Sequence, residues 1–329
     1  MKKDVLSLFE TGPAQEQDLD DVVRLIDAAD HALGVPLHPV RDELSWARHL
    51  PTTDLERDTR IVRDGDALVG YGEALWKHPD EGGPLELLVR VHPGRRGAGI
   101  GSWLLSWGET LAHQRGTQGV RAWTVDRDAT GRGLLQSRGY VHIRSSFTMA
   151  KDLDPEEDAG TAPAGVMIRR YEDADERTLF DVYQASFADD SDFRPTSLEN
   201  FSGELHGEGW DPSLVFLADA EGQTVGHVAS FLYEKCGYVA ILGVLKGWRG
   251  RGIAKALLRR SFAELASRQM PEVRLGVDAE NPTGAVALYE AVGMSVHRRY
   301  DIFDLGSEPG ASVQETDRQR LGPDEREEA

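Results

Sequence analysis

The stretch from Tyr238 to Gln269 constrains the fold of this chain more than any other. It opens with seven residues of strand type, Tyr238–Val244, which are rich in β-branched and apolar side chains. It closes with Gly252–Gln269, where apolar residues recur at helical spacing. Three glycines and three cations lie in the connection between strand and helix. This arrangement predicts an anion site, because the first N–H groups of a helix have no partner within the helix.

The spacing of the glycines excludes two common phosphate-binding loops. A Walker A loop needs Lys and Ser/Thr directly after its last glycine, whereas Ile253 and Ala254 follow Gly252 here. A dinucleotide fingerprint needs G-x-G-x-x-G, and the glycines at 250 and 252 do not continue in that spacing. The remaining pattern is Arg-x-x-Gly-x-Ala, and we expect a phosphorylated ligand on Arg249–Ala254.

The same pattern occurs a second time in the first half of the chain. Residues 89–101 contain an aliphatic strand followed by Arg-x-x-Gly-x-Gly, which starts at Arg96. Arg96 and Arg249 are 153 positions apart, and Gly139 and Gly293 are 154 positions apart. Because these two spacings are almost equal, they indicate an internal repeat with the length of about one domain.

Both loops resemble the pyrophosphate-binding signature of the GCN5-related N-acetyltransferases (the GNAT family), which is written Q/R-x-x-G-x-G/A. Members of that family hold acetyl-coenzyme A (acetyl-CoA) across this turn. The resemblance implies an α/β (α+β) fold with two tandem GNAT-type domains, each a mixed, mostly antiparallel sheet flanked by helices. It predicts an N-terminal domain at 14–153, a linker at 154–165, a C-terminal domain at 166–306 and a disordered tail at 307–329.

The second repeat carries further residues of the family pattern. The segment from Asn281 to Met294 resembles N-x-x-A-x-x-L-Y-E-x-x-G-F. In the family the Asn contacts the pantetheine arm and the Tyr hydroxyl lies near the sulfur, so the resemblance gives these roles to Asn281 and Tyr289. A donor there eases departure of the thiolate, because the thiol has a pKa of about 8.5. The first repeat has Leu135 at the matching position. We therefore expect a catalytically degenerate N-terminal domain, which either still binds coenzyme or is only structural.

A general base must also be found, since an alkylamine has a pKa of about 10 and attacks only when neutral. The candidates in the second repeat are Glu234 and the Tyr238 hydroxyl. Glu86 in the first repeat is a further candidate, although a carboxylate at a strand edge is the simpler interpretation. We predict Tyr289 and Glu234 as the catalytic residues. Main-chain N–H groups around Leu242–Val244 are expected to polarise the acetyl carbonyl.

The predicted coenzyme site combines the strand end, the loop and the helix start of each repeat. In the second repeat it comprises Leu242, Gly243, Val244, Arg249, Gly250, Arg251, Gly252, Ile253, Ala254, Lys255 and Asn281. In the first repeat it comprises Val91, Arg96, Gly97, Gly99 and Gly101. No metal is expected, because none of the ten histidines has a metal-ligand spacing.

Composition narrows the partners and the location. The chain has 329 residues, which is enough for two domains with separate cores. Its one cysteine, Cys236, fits a reducing cytosol. The net charge of −19 argues against nucleic acid and favours a cationic or neutral acceptor. No apolar run approaches the 18 or so residues of a membrane span. We expect a cytoplasmic monomer or homodimer that does not bind membranes.

These features together predict an N-acetyltransferase that moves an acetyl group from acetyl-CoA to a primary amine of a small molecule or protein. The amine attacks directly, in the C-terminal domain, and the acceptor is expected near residues 187–210. Two alternatives stay open. One is similarity to the two-repeat mycothiol synthases, which acetylate the cysteinyl amine of a thiol precursor; the strand carboxylate expected in such an enzyme falls at Tyr238 here. The other is a non-catalytic CoA-binding regulatory protein.

Overall fold

The computed structural model describes residues 8–36, 40–49, 53–76, 83–189, 193, 195–206, 210–281 and 283–306. The predicted tail, 307–329, lies outside the described residues. The strands are β1 (Glu10–Gly12), β2 (Thr59–Asp64), β3 (Ala67–Leu75), β4 (Leu85–Val91), β5 (Val120–Val125), β6 (Val141–Asp152), β7 (Val166–Arg170), β8 (Val215–Ala220), β9 (Gln223–Leu232), β10 (Gly237–Val244), β11 (Glu272–Asp278) and β12 (Ser295–Leu305). The helices are α1 (Leu19–Ala32), α2 (Val40–His49), α3 (Leu55–Asp58), α4 (Ile100–Arg115), α5 (Ala129–Ser137), α6 (Glu176–Phe187), α7 (Leu198–Leu205), α8 (Ile253–Ser267) and α9 (Ala285–Glu290). Within this described part of the chain, no helix combines the length and the apolar character needed to cross a membrane.

The twelve strands of the described residues form one mixed sheet. Their order is β1-β2-β3-β4-β5-β12-β6-β11-β10-β9-β8-β7. Two neighbouring pairs, β4–β5 and β10–β11, run parallel. The other neighbours run antiparallel. The sheet is therefore mostly antiparallel, with one parallel pair in each half.

The final strands of the two repeats are exchanged. β6 ends the first repeat but pairs with β11 of the second, from Asp152 opposite Glu272 to Ser146 opposite Asp278. β12 ends the second repeat but pairs with β5 of the first. β6 and β12 also pair with each other at the centre of the sheet. The predicted boundaries at 153 and 166 thus separate two sequence repeats, while the sheet runs continuously through both.

Helices cover both faces of this sheet. On one face, which we call the loop face, α4 and α5 pack on the first half and α8 and α9 on the second. On the other face, which we call the cavity face, α1 and α2 pack on the first half and α6 and α7 on the second. Strand alternation decides which side chain goes to which face. On β4, for example, Leu87 packs with α4, whereas Leu88 packs with α1 and α2.

Candidate active site

The two glycine-rich loops have the same backbone conformation. Gly97 and Gly99 have φ values of +81° and +82°, and Gly250 and Gly252 have values of +77° and +81°. A Cβ at 97, 99 or 250 would meet no atom within 4 Å, so the left-handed backbone is what requires glycine there. α4 and α8 begin at the residue after the second glycine of each loop. Each loop therefore places the positive end of a helix, with its unbonded N–H groups, where an anion can bind.

The side chain of Arg249 fastens the second loop to α6. Its guanidinium donates to both carboxylate oxygens of Asp189, at 2.7 and 2.8 Å, and to the carbonyl of Ser186 at 2.7 Å. The hydrogen bond from Arg249 lowers the pKa of Asp189 below its usual value. In the first loop, Arg96 Nη1 lies 3.8 Å from Asp128 Oδ1 at the start of α5. Since the Arg249 guanidinium is already bound, the main chain is the part of the second loop best suited to phosphate.

Each loop follows a strand that separates from its parallel neighbour. β4 pairs with β5 from Leu85 to Leu87, and β10 pairs with β11 at Gly237 and Tyr238. The register between β10 and β9 shifts between Val239 and Ile241, so a bulge lies at residue 240. This bulge lies just before Leu242–Val244, the segment whose main-chain N–H groups are expected to polarise the acetyl carbonyl. Beyond these pairs, a gap opens between the two strands of each half.

The gap of the first half opens into a cavity of about 130 Å³, which we call the first cleft. Val89, Gly101 and Thr124 line it, together with Arg96 of the first loop. Leu135, at the position that matches Tyr289, also lines it. The first cleft therefore has the loop and the strand gap but has an apolar side chain where a proton donor was expected.

A larger cavity of about 640 Å³, the central cavity, lies on the cavity face between the two halves. Residues of α1 and α2 and of α6 and α7 contribute to its walls, and eight strands contribute most of the rest. Phe201 and Leu205 come from the region where the acceptor was expected. Among the described lining residues, eight are aromatic: Trp123, Phe147, Tyr183, Phe201, Phe231, Tyr233, Tyr238 and Tyr300. Such walls suit a small organic molecule that is oriented by a few polar groups.

The two strand gaps differ in how they meet the central cavity. Arg90 and Trp123 line both the first cleft and the central cavity. The repeat offset of 153 places Gly243 and Gly276 at the matching positions of the second half. The strand pairing supports this match. In β4, the last two residues that pair with β3 are Arg90, opposite Tyr71, and Val91, opposite Gly70. In β10, the last two residues that pair with β9 are 243 and 244. Two large side chains thus stand between the first gap and the cavity, whereas the second half has no side chain at either position.

Tyr289 and Asn281 lie on the loop face of the second half. Tyr289 packs against the core cluster that contains Val244 and Ile253, which flank the second loop. Burial raises the pKa of Tyr289 to about 12, so its hydroxyl stays protonated and able to donate at neutral pH. Asn281 Oδ1 accepts a hydrogen bond of 2.9 Å from the Thr283 N–H, which fixes the turn before α9.

Among the described residues that line the central cavity, two are acidic, Glu73 and Glu86. Both belong to the first half. The pKa of the Arg121 guanidinium is raised mainly by its hydrogen bonds with Asp304, and the nearby Glu86 carboxylate adds a smaller effect in the same direction. Glu234 is exposed in the turn before β10, where its N–H donates to Asp42 Oδ1 at 3.0 Å. The structure therefore does not bring Glu234 to the cavity wall.

Glu73 is the site residue that the sequence did not reveal. Its side chain is 1% exposed, and Oε1 accepts no hydrogen bond from the described residues. Burial raises its pKa to about 7, although the nearby Arg48 acts in the opposite direction. Glutamate in a strand is expected to face solvent, so this residue was not singled out. Its neighbours Tyr71 and Leu75 give the available signal, because alternation places all three on one face.

The chain matches a known protein family over most of its length. The model of the "Acetyltransferase (GNAT) family" matches residues 25–140 and 177–294. A mycothiol acetyltransferase from Thermobispora bispora is 30% identical over 286 residues, which cover 84% of this chain and 92% of that protein. One from Streptomyces griseus is 32% identical over 241 residues, which cover 72% and 76%.

Solved structures agree with these matches. A GCN5-related N-acetyltransferase from Sphaerobacter thermophilus superposes with a TM-score of 0.81 at 29% identity, covering 94% of this chain and 98% of that one. A tandem GNAT protein from the clavulanic acid biosynthesis pathway superposes with a TM-score of 0.70 at 18% identity, covering 92% and 99%. The second likeness shows that the two-repeat fold is shared.

Proposed function

Because this chain belongs to the acetyltransferase (GNAT) family, we propose that its C-terminal half transfers the acetyl group of acetyl-CoA to a primary amine in the central cavity. The family and the fold class predicted from the sequence are confirmed. The enzyme class, an acetyl-CoA-dependent acyltransferase, is also confirmed. The reacting half, the site residues and the acceptor are proposed from geometry, and the expected absence of a metal stays a prediction.

The second loop and the gap beside it fit acetyl-CoA. The two left-handed glycines and the start of α8 offer main-chain amides to the pyrophosphate. The pantetheine arm would enter between β10 and β11, beyond the last pair at Tyr238 and Arg274. There the main chain of Leu242–Val244 is available to bond the arm and to polarise the acetyl carbonyl. The same loop geometry in the first half supports coenzyme binding at the first cleft as well.

The difference in side-chain size at two matched positions is our main reason for assigning the reaction to the second half. Gly276, on the strand beside the second gap, lines the central cavity, while the large side chains of Arg90 and Trp123 line both that cavity and the first cleft. An amine in the central cavity can thus approach a thioester in the second gap. A thioester in the first cleft would lie behind two large side chains. The presence of Tyr289 in the second half and Leu135 in the first supports the same choice.

The chemistry then needs few groups. The neutral amine forms a C–N bond to the acetyl carbon, and the C–S bond breaks. The Tyr289 hydroxyl donates to the departing sulfur, which would otherwise leave as a thiolate. The proton of the amine passes to a group at the wall of the cavity. Glu234 does not line the cavity, whereas Glu73, Glu86 and Tyr238 do.

The test uses free-thiol release from acetyl-CoA with a panel of amines and two exchanged side chains. Gly276→Trp places the large residue of the first half in the second gap, and we expect the rate to fall about 100-fold. Binding of CoA itself should change less than about threefold, because the second loop is untouched. Trp123→Gly is the matched exchange in the first half and should lower the rate by much less than Gly276→Trp does. The reverse pattern would assign the reaction to the first half, and no thiol release with any amine would favour the regulatory alternative.

The relatives favour one acceptor class in particular. Two of the matched proteins are mycothiol acetyltransferases, and the longer match covers 92% of its protein. We therefore include the cysteinyl amine of the thiol precursor in the panel as a second proposal. Tyr238 and Glu86 occupy equivalent positions in the two halves, because Tyr238 pairs with Arg274 and Glu86 pairs with Arg121, the matching arginine of the first half. A turnover rate at least about tenfold above that of the other amines would support this acceptor.

A further inference from the structure

We propose that Glu73 is an acceptor-binding residue, and that its carboxylate receives an N–H or O–H donor of the acceptor in the central cavity. This inference rests on the proposed function in one respect, because it takes the acceptor to occupy that cavity. It adds a class of substrate: an amine that carries a second polar group. The reacting amine would lie at the second gap and the second group at the first-half wall.

The surroundings of Glu73 are unusual for a structural residue. The side chain is 1% exposed, it lines the central cavity, and Oε1 accepts no hydrogen bond from the described residues. A buried polar atom without a hydrogen-bond partner destabilises the folded state, because it has lost its bonds to water without replacement. Native proteins keep few such atoms, and those they keep often serve binding or catalysis. A ligand donor at Oε1 would remove this cost.

Two neighbours of Glu73 share this property. Tyr71, on the same face of β3, is fully buried, and its hydroxyl lies close enough to Glu73 and Arg48 to interact with both, but makes no hydrogen bond of ordinary geometry with the described residues. The guanidinium nitrogens of Arg48 also make none, although Nη1 lies 3.7 Å from Glu16 Oε2. A network that served only stability would be fully bonded. These three side chains instead leave donors and acceptors available together at the first-half end of the cavity.

The second half shows that the fold does not require a carboxylate at this position. Glu73 pairs with Leu88 in β4, and Ala229 pairs with Ile241, which is 153 positions after Leu88. Ala229 is fully buried in the same place of the second sheet half. One copy of the repeat thus has a small apolar residue where the other buries an acid. The difference points to a role in binding.

The other polar groups at the wall are better compensated. Glu86 lies beside Arg121, which itself donates to Asp304 at 2.9 and 3.0 Å. Arg144 Nε lies 3.5 Å from Asp278 Oδ2. Arg48 lies near Glu73 as well, but Glu73 Oε1 accepts no hydrogen bond from the described residues, so it is the acidic oxygen of the cavity best placed to gain from a ligand donor.

The experiment compares three amines of equal length that differ at the far end. They are 5-aminopentanol, 1,5-diaminopentane and hexylamine, which end in a hydroxyl, an ammonium and a methyl group. Wild type should have a KM at least about tenfold lower for one of the first two than for hexylamine, because only those can donate to Glu73. Glu73→Ala and Glu73→Gln should remove most of this preference, by raising the KM for the two polar amines toward that for hexylamine. Glu86→Gln is the matched control and should keep the preference.

A preference that persists in both Glu73 variants, or no preference in wild type, would overturn the proposal. A second readout does not depend on turnover. The ¹³C resonance of the Glu73 carboxyl, identified by its loss in Glu73→Gln, is titrated with pH with and without each amine. A donor that binds the ionised carboxylate should lower its pKa, whereas hexylamine should not. If no amine is acetylated but this pKa falls, the proposed function fails and the Glu73 site stands; an unmoved pKa with all three amines refutes the site.

Discussion

The guanidinium of Arg298, on the last strand, donates a hydrogen bond of 2.9 Å to the carboxylate of Asp30, on the first helix, and both residues are buried. Arg298 also donates to the carbonyl of Pro36 and, at 3.1 Å, to the hydroxyl of Tyr300. Asp30 in turn lines the first cleft. The end of the second repeat is therefore tied to the wall of the first cleft.

Replacing one member of this pair should destabilise the whole protein. Arg298→Ala leaves the Asp30 carboxylate buried without its partner, and we expect a loss of about 3–5 kcal/mol in the free energy of unfolding. The double variant Asp30→Asn with Arg298→Met removes both charges and should recover most of that loss. Urea unfolding followed by circular dichroism measures all three proteins. Equal losses in the single and double variants would mean that packing, and not charge, matters at this position.

Removing the Tyr289 hydroxyl should slow turnover without weakening coenzyme binding. In Tyr289→Phe the ring still packs against the core cluster, but nothing donates to the departing sulfur. We expect kcat to fall about 100-fold and the KM for acetyl-CoA to stay within about threefold. Tyr140→Phe is the control, since that buried tyrosine of the first half bonds Glu109 at 3.3 Å and should leave kcat nearly unchanged. Comparable losses in the two variants would argue against a specific role for Tyr289.

The stability of the protein should depend on pH through Glu73. Burial raises its pKa from 4.5 to about 7, so the folded state holds this proton more tightly than the unfolded state. Stability therefore falls as pH rises from about 4.5 to 7, and the full cost above pH 7 is about 3 kcal/mol. The charged or titratable groups nearest to Glu73 are Arg48, Tyr71 and Asp58.

Glu73→Gln should consequently be more stable than wild type at pH 8, by about 1–3 kcal/mol, and about equally stable at pH 4.5. Chemical denaturation of both proteins at the two pH values measures this difference. A wild type that is the more stable protein at pH 8 would show that the carboxylate is well compensated when folded. A gain in stability with a loss of acceptor affinity is the usual sign of a functional residue.

Neither half should fold by itself. A fragment of residues 1–165 lacks β12, and a fragment of 166–329 lacks β6, so each loses a strand from the middle of the sheet. We expect the separate fragments to aggregate or to unfold without a cooperative transition, and co-expression to restore a 1:1 complex. Size-exclusion chromatography and thermal unfolding distinguish these states. A monomeric fragment with a sharp transition would contradict the expectation.

The loops could be predicted from the sequence because their geometry is local. Positive φ at the glycines and the helix start directly after them depend on a few adjacent residues. The offset of 153 between Arg96 and Arg249 then gave the tandem arrangement. Family, fold class and enzyme class follow from these features, and all three are confirmed.

The strand exchange and the role of Glu73 depend on distant parts of the chain. Both β6 and β12 have strand patterns, but nothing in the pattern tells which neighbour each will pair with. Glu73 is buried because helices of the first half and strands of the second surround the same cavity. The sequence of one strand does not indicate which distant helices and strands will bury its side chains. Local patterns thus predict the elements of the site, while its acceptor side is set by tertiary structure.

The position of β6 and β12 also limits how this enzyme can move. Each of these strands is hydrogen-bonded along both edges: β6 to β11 and β12 of the second repeat, and β12 to β5 and β6 of the first. A hinge between the halves would require one of these ladders to break. The exchanged strands therefore oppose a hinge motion that would close one half over the other. We expect selection among acceptors to come mainly from the side chains of the cavity walls and from local loop motion.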